Sequence, residues 1–194
     1  LFIDTLTERE YKSGLAEAIK AGCIMDRELF DLIENNKMGV EKRDKDIVAE
    51  IIKRSQKVKI RVVKEDEEEA GIRAILNFGH TLGHSIEKLK KWRISHGFAV
   101  AAGMGFATYL SYSKGFISKD DMMKILNLLK FMGYKLFYPI DFSSLHKVIV
   151  MDKKRKDKLV EWVLLKEIGN AVYGIKLDMD YIFTELRNYE RFVK

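Results

Sequence analysis

A single proline, Pro139, occurs in the 194 residues of this chain. Proline breaks helix interiors and is frequent in turns, so its scarcity favours long helices over a turn-rich all-β fold. Apolar residues recur with a helical period over long stretches, as in residues 44–63. We therefore expect a mainly α fold in which residues 1–194 form one multi-helix domain. The β-rich runs 161–165 and 170–175 predict one short hairpin near the C-terminus.

The helix boundaries follow from capping and breaking residues. Thr7 with Glu10 three places later is a capping-box pattern and predicts the start of the first helix. Asp120 and Asp121 follow Ser118, where acidic side chains favour a helix start. The predicted helices cover residues 7–25, 26–35, 44–63, a histidine-containing segment after Gly71, 97–113, 118–133, 141–151 (with His146 as a surface or packing residue) and 178–188.

Composition excludes several classes of protein. Hydrophobic residues make up 47% and charged residues 33% of the chain, as in ordinary soluble domains. We see no apolar run of about 20 residues and no signal-peptide pattern, so we expect a cytoplasmic protein that contacts no membrane. Cys23 alone cannot form an internal disulfide; it is either a reactive thiol or a buried spectator. The charge of +6 is spread among acids, which favours a small anionic ligand over nucleic acid.

Three of the four histidines lie within one seventeen-residue window. His80 and His84 are four apart, and on a helix they would share one face with Glu87 and with Asn77 one turn earlier. His96 follows twelve residues after His84. Neutral imidazole is a common zinc ligand, and catalytic zinc usually takes three protein ligands. The spacing alone leaves two interpretations open, a metal or catalytic site and a pair of satisfied polar residues.

Two further features point to close packing and to a buried charge. Gly79 and Gly83 each precede a histidine, which predicts that another segment approaches the backbone closely there. Glu17 lies among apolar residues of the first predicted helix, with Lys20 three places later. A buried carboxylate needs a metal or a cation as partner, whereas on the surface the two would form a simple ion pair.

Four stretches together carry a family resemblance. They are residues 5–20 (TLTEREYKSGLAEAIK), Lys59 with 66–73 (DEEEAGIR) and 76–84 (LNFGHTLGH), 96–104 around HG, AV and GM, and 152–154 (DKK) with the hairpin and Ile168-Gly169. In this order and over nearly the whole chain, they resemble the C-terminal, metal-binding domain of 3-dehydroquinate synthase. That enzyme uses zinc and NAD to convert 3-deoxy-D-arabino-heptulosonate 7-phosphate to 3-dehydroquinate and phosphate, in the shikimate pathway to chorismate and aromatic amino acids.

The resemblance implies roles for individual residues. It makes Glu17, His80 and His96 the ligands of zinc, or of cobalt in its place. It makes His84 and Lys20 the catalytic pair, with His84 moving protons. The residues implied to contact the anionic sugar-phosphate substrate are Lys20, Lys59, Arg73, Asn77, His84 and one of Lys153 and Lys154.

The chain also departs from the family pattern. The NAD-binding half is absent, and no glycine-rich phosphate loop follows a predicted strand. We therefore expect NAD to be bound by an N-terminal domain outside this chain, a homodimer for the full-length protein, and no complete reaction from this domain alone. Phe98 stands where the family usually has Glu, which leaves open whether a neighbouring side chain supports His96 by hydrogen bonding. The alternatives are another sugar-phosphate cyclase, a polyol dehydrogenase of the superfamily, or a non-catalytic helical module.

Overall fold

The computed structural model describes residues 2–68, 71–141, 143–145, 148 and 159–194. Its elements confirm a mainly α fold with one antiparallel hairpin near the C-terminus. After a 3₁₀ turn at Phe2–Thr5 come α1 (Glu8–Ile24), α2 (Arg27–Asn35), α3 (Lys37–Glu41), α4 (Lys45–Glu65), a second 3₁₀ helix (Ile72–Asn77), α5 (His80–Leu89), α6 (His96–Ser113), α7 (Lys119–Phe131), β1 (Leu159–Glu167), β2 (Asn170–Asp178) and α8 (Met179–Val193).

Local sequence signals explain where several helices begin. The Thr7 hydroxyl accepts a hydrogen bond from the Glu10 backbone, and the Glu10 carboxylate accepts one from the Thr7 backbone at 2.8 Å, so the predicted capping box is confirmed. Asp44 caps α4 and Ser118 caps α7 through side-chain oxygens that accept backbone hydrogen bonds. These interactions satisfy N–H groups that the first turn of a helix leaves without partners.

The core is built around α6. Residues of α6 from Ala99 to Ala107 are buried without exception, and the helix contacts α1, α5, α7 and β1. Small residues, which are frequent in α6, allow neighbouring helices to approach closely. Phe106 then packs against Trp162 of β1 and Tyr189 of α8, with ring centroids 5.5 Å apart in both pairs.

The hairpin is longer than predicted, and its turn is anchored in the core. Gly169 occupies the turn with φ of +91° and donates a backbone hydrogen bond of 2.8 Å to the Cys23 carbonyl at the end of α1. A Cβ atom at this position would lie 2.7 Å from the Arg27 nitrogen. Glycine is therefore required both by the left-handed backbone and by the contact with the α1–α2 junction.

The helical pattern is interrupted just before His80. Asn77 does not share a helix with His80, because it ends the second 3₁₀ helix and Gly79, at φ of +80°, separates that helix from α5. The helical period continues through this break, so the sequence pattern did not reveal it.

In the predicted helix 141–151, His146 lies outside the described residues. In the part of the chain that the structure describes, we find no helix long and apolar enough to span a membrane.

Candidate metal centre

The contact between α1 and α6 sets the position of two predicted site residues. The Gly97 backbone donates a hydrogen bond of 3.0 Å to the Ser13 hydroxyl. A Cβ atom on Gly97 would overlap the Ser13 backbone, so glycine lets the start of α6 rest directly on α1. Glu17 lies one turn after Ser13 on the same helix face. It therefore faces His96, the first residue of α6.

A second close contact holds α5 against α6. A Cβ atom on Gly79 would lie 2.6 Å from the Met104 backbone nitrogen, and one on Gly103 would overlap the Gly79 carbonyl oxygen. Gly83 also rests on Val100, at 3.1 Å from its Cα. The prediction that the glycines beside the histidines allow close backbone approach is therefore confirmed. The consequence is that the first turn of α5 rests on the middle of α6, and the His80 ring comes within 5.2 Å of the His96 ring, measured between centroids.

These contacts bring a carboxylate and two imidazoles to one point. Potential ligand atoms of Glu17, His80 and His96 all lie within 4.8 Å of one another. Glu17 Oε1 lies 3.5 Å from His96 Nε2. Zinc bonds of about 2.0–2.1 Å at tetrahedral angles separate ligand atoms by roughly 3.3–3.5 Å. Glu17 Oε1 is also buried without a hydrogen-bond partner. The donor set, its spacing and this unsatisfied oxygen all fit a divalent metal ion.

The electrostatics keep Glu17 and His80 in metal-binding states. Burial raises the pKa of Glu17, but the Lys20 ammonium, 2.6 Å from Oε2, outweighs it and holds the pKa below its usual value. Burial, followed by the charge of Lys20, lowers the pKa of His80 to about 4. The Phe78 carbonyl lies 3.3 Å from His80 Nδ1, where it can accept the ring proton. His80 is therefore neutral at pH 7 and keeps the Nε2 lone pair.

Lys20 is more buried than a surface ion pair requires. Its side chain is 7% exposed, and burial, followed by nearby Lys59, lowers its pKa although Glu17 raises it. The interpretation of Glu17 and Lys20 as a simple ion pair on the surface is therefore wrong for Lys20. Its ammonium lies beside the candidate metal centre, where a cation can neutralise an anionic ligand.

Two further side chains lie close to the candidate metal centre. The His84 ring centroid lies 5.1 Å from that of His80 and 6.0 Å from that of His96. Both oxygens of Glu87, which is buried, lie 3.3 Å from His96 Nδ1. His84, Glu87 and His96 thus form a second group of potential ligands. The spacing predicted that Glu87 lies on the same face as the histidines but gave it no role. Its position as an acid in an apolar helical stretch was the feature of the sequence that could have indicated a buried, functional carboxylate.

A cleft of about 550 Å³ opens beside the candidate metal centre between α1 and α4. Most of its wall is apolar, including Leu15, Val48 and Ile51. Its polar lining includes Glu17, Lys20, Lys59, Asn77 and His80, all of them predicted site residues.

The other predicted substrate contacts lie outside this cleft or are not among the described residues. His84 and Arg73 do not line this cleft. The Arg73 guanidinium donates a hydrogen bond of 3.2 Å to the Glu67 carbonyl, and its backbone donates one of 2.9 Å to the Asp66 carboxylate. Lys153 and Lys154 lie outside the described residues.

Phe98 points away from the candidate metal centre. Its ring packs edge-on against Tyr134, with centroids 5.5 Å apart. Residues two apart on a helix lie on nearly opposite faces, so Phe98 and His96 diverge. The absence of Glu at this position therefore removes no direct contact to His96, whose carboxylate neighbours are Glu17 and Glu87.

The 3-dehydroquinate synthase C-terminal family model matches residues 14–155. The chain belongs to the 3-dehydroquinate synthase family. The synthase of Thermodesulfovibrio yellowstonii is 44% identical over 178 residues, which cover 90% of this chain and 50% of that protein. The synthase of Geotalea uraniireducens is 40% identical over 93% of this chain and 51% of its own length. The chain thus spans about half the length of these 3-dehydroquinate synthases.

Solved structures show the same fold. The chain superposes on 2-epi-5-epi-valiolone synthase from Streptomyces hygroscopicus, solved with NAD⁺ and Zn²⁺, with a TM-score of 0.88 and 23% identity, covering 98% of this chain and 54% of that one. It superposes on 2-deoxy-scyllo-inosose synthase, complexed with carbaglucose-6-phosphate, NAD⁺ and Co²⁺, with a TM-score of 0.74 and 23% identity, covering 93% and 51%.

Proposed function

We propose that this chain is the metal- and substrate-binding domain of a 3-dehydroquinate synthase. Its substrate is 3-deoxy-D-arabino-heptulosonate 7-phosphate, and an NAD-binding half outside this sequence supplies the redox cofactor. The observation that carries the proposal is the unsatisfied Oε1 of Glu17, 3.5 Å from His96 Nε2 and grouped with His80. The identity of 35–44% to named 3-dehydroquinate synthases favours this activity over those of the 23%-identical cyclases.

Glu17, His80 and His96 would hold the metal. A carboxylate and two imidazoles suit zinc, and cobalt is the alternative that these ligands also accept. When bound there, the ion supplies Lewis-acid chemistry by polarising and orienting substrate hydroxyls. Since three protein ligands leave coordination positions for substrate oxygens, the set is suited to catalysis rather than to a closed structural site.

The surrounding residues would bind the substrate and move protons. Lys20 and Lys59 line the cleft and place positive charge where a carboxylate and a phosphate need it. Asn77 offers an amide to a hydroxyl in the same cleft. His84 is exposed and next to His80, where its imidazole can exchange a proton with substrate bound at the metal. Arg73 and Lys153 or Lys154 remain predicted contacts to the anionic groups.

Metal analysis of the purified chain tests the ligand set. We expect close to one zinc per chain, and its loss in Glu17→Ala and His80→Ala. Glu50→Gln on the surface of α4 removes one negative charge that pairs with Lys53 and serves as the matched control, which should keep its zinc. A parent chain without zinc, or unchanged zinc in both ligand variants, would refute the assignment and favour the non-catalytic helical module.

Calorimetry of the zinc-loaded chain tests the substrate. We expect 3-deoxy-D-arabino-heptulosonate 7-phosphate to bind more tightly than a heptulose phosphate or a hexose phosphate, which lack its carboxylate. Lys20→Met should weaken the first ligand more than the other two, because a carboxylate loses more than a hydroxyl when its cation is removed. Equal affinities, or preference for a ligand without a carboxylate, would instead support another sugar-phosphate cyclase or a polyol dehydrogenase.

A further inference from the structure

Glu87 is a buried acid beside one of the candidate metal ligands. It lies on α5 and is 4% exposed. Both of its carboxylate oxygens lie 3.3 Å from Nδ1 of His96. Burying a carboxylate costs free energy unless a hydrogen-bond donor or a cation compensates its charge, so Glu87 needs a donor such as the N–H group of His96.

The two nitrogens of His96 face two different carboxylates. Nε2 lies 3.5 Å from Glu17 Oε1, whereas Nδ1 lies beside Glu87. A proton on Nδ1 that is donated to Glu87 fixes the tautomer in which Nε2 carries the lone pair. That lone pair then points toward the space shared with Glu17 and His80. The His96 ring therefore has one nitrogen, Nδ1, held by Glu87 and the other, Nε2, free to bind a metal.

The group of His84, Glu87 and His96 offers a competing place for a metal, because its ligand atoms also lie within 4.8 Å of one another. A metal there would take Nδ1 of His96 and displace the contact with Glu87. It would also leave Oε1 of Glu17 buried without a partner. Placing the metal on the Glu17 side compensates both carboxylates at once, and this decides between the two arrangements.

We propose that Glu87 is a positioning residue that orients His96 and increases the basicity of its Nε2 toward the metal. The inference rests on the proposed metal site. Carboxylates that accept the second N–H of a metal-bound histidine commonly act in this way. Here the support comes from α5, the helix that also carries His80. One helix therefore provides one imidazole ligand and orients the other, while Phe98 of α6 packs away against Tyr134.

The test measures zinc affinity by competition with a chromophoric chelator in the full 194-residue chain. Glu87→Ala removes the acceptor and should weaken zinc binding by about 10- to 100-fold. Glu87→Gln keeps an oxygen that can accept the Nδ1 proton and removes the charge, so it should weaken binding less, by roughly threefold. Glu50→Gln, which removes the same charge from the surface, should bind zinc like the parent. Affinity within twofold of the parent for Glu87→Ala would overturn the proposal.

A spectroscopic measurement separates positioning from a general effect on folding. In the cobalt-loaded chain, Glu87→Gln should shift the visible absorption bands, because the donor strength of His96 changes while the size of residue 87 does not. Unfolding in urea with chelator present reports the stability of the metal-free fold separately. An unshifted cobalt spectrum in Glu87→Gln would overturn the proposal even if Glu87→Ala fails to fold.

The ligand variants distinguish failure of this inference from failure of the proposed function. If the parent binds no zinc, both are wrong. If Glu17→Ala loses zinc and Glu87→Ala keeps it, only the positioning role is wrong. If Glu87→Ala and His84→Ala abolish binding while Glu17→Ala retains it, the metal lies in the other ligand group and Glu87 is a direct ligand.

Discussion

Substitution of Gly103 by alanine tests whether backbone contact between α5 and α6 sets the site geometry. The added Cβ would overlap the carbonyl oxygen of Gly79 and lie 2.9 Å from the backbone nitrogen of Gly83. Both neighbours are backbone atoms, which cannot rotate away as a flexible side chain can. The start of α5, and with it His80, must therefore move away from α6.

The expected cost follows from the size of the overlap. Restoring ordinary contact requires a displacement of roughly 1 Å, and overpacking of this kind in a core costs about 3 kcal/mol. Alanine returns about 1 kcal/mol through its helix propensity, which leaves a net loss of about 2 kcal/mol. For a chain of this length that loss lowers Tm by roughly 4–8 °C. A displacement of His80 by roughly 1 Å should also weaken zinc binding by about tenfold or more.

The matched control is alanine at Gly14, an exposed helical position where an added Cβ meets nothing within 4 Å. There the helix propensity acts alone and should stabilise the chain by about 0.5–1 kcal/mol. Urea unfolding followed by circular dichroism, with chelator present, measures both changes without the contribution of bound metal. If Gly103→Ala is as stable as Gly14→Ala, or binds zinc like the parent, the close α5–α6 contact does not determine the site.

The remaining predictions concern packing, pH and a thiol. Phe98→Ala should cost about 2 kcal/mol through lost contact with Tyr134 yet leave zinc affinity within twofold, and a tenfold loss would place Phe98 in support of the metal. Burial raises the pKa of Asp26, but its hydrogen bonds to Arg54 outweigh this and lower it. Asp26→Asn should therefore lose about 1 kcal/mol at pH 7. The difference in stability, read from urea midpoints, should begin to shrink as the pH falls below about 4, where the unfolded carboxyl takes up a proton, and should disappear only below the lowered pKa of the folded carboxyl; a difference that does not shrink with falling pH contradicts the ion pair. Cys23 is fully buried, and burial raises the pKa of its thiol, so a thiol reagent should label it only in denaturant; rapid labelling of the folded chain would show otherwise.

Helical periodicity and capping residues carried most of the fold prediction. The predicted helix 44–63 corresponds to α4 at Lys45–Glu65, and Thr7 caps α1 as predicted. These features are local, because a cap or an amphipathic face depends on residues a few positions apart. Glu17, His80 and His96 could be named only through the family resemblance, since no local rule joins the first helix to residues so far along the chain.

The parts that escaped prediction depend on contacts between elements. The turn between α5 and α6 places Lys91 and Trp92 at φ of 50° and 60°, although neither is a residue that favours this backbone region. That turn brings Glu87 back beside His96, so their pairing could not be predicted from spacing. The cleft likewise depends on how α1 and α4 cross, which helix periodicity does not specify.

The anchored turn of the β-hairpin has a practical consequence for engineering this chain. Hairpin tips are ordinarily good places to insert a tag, a fluorescent reporter or a new cleavage site. Here the tip at Gly169 is bonded to the carbonyl of Cys23, one turn beyond Lys20 in the helix that carries Glu17. An insertion there would disturb the end of α1, and a probe meant to leave the cleft intact belongs elsewhere.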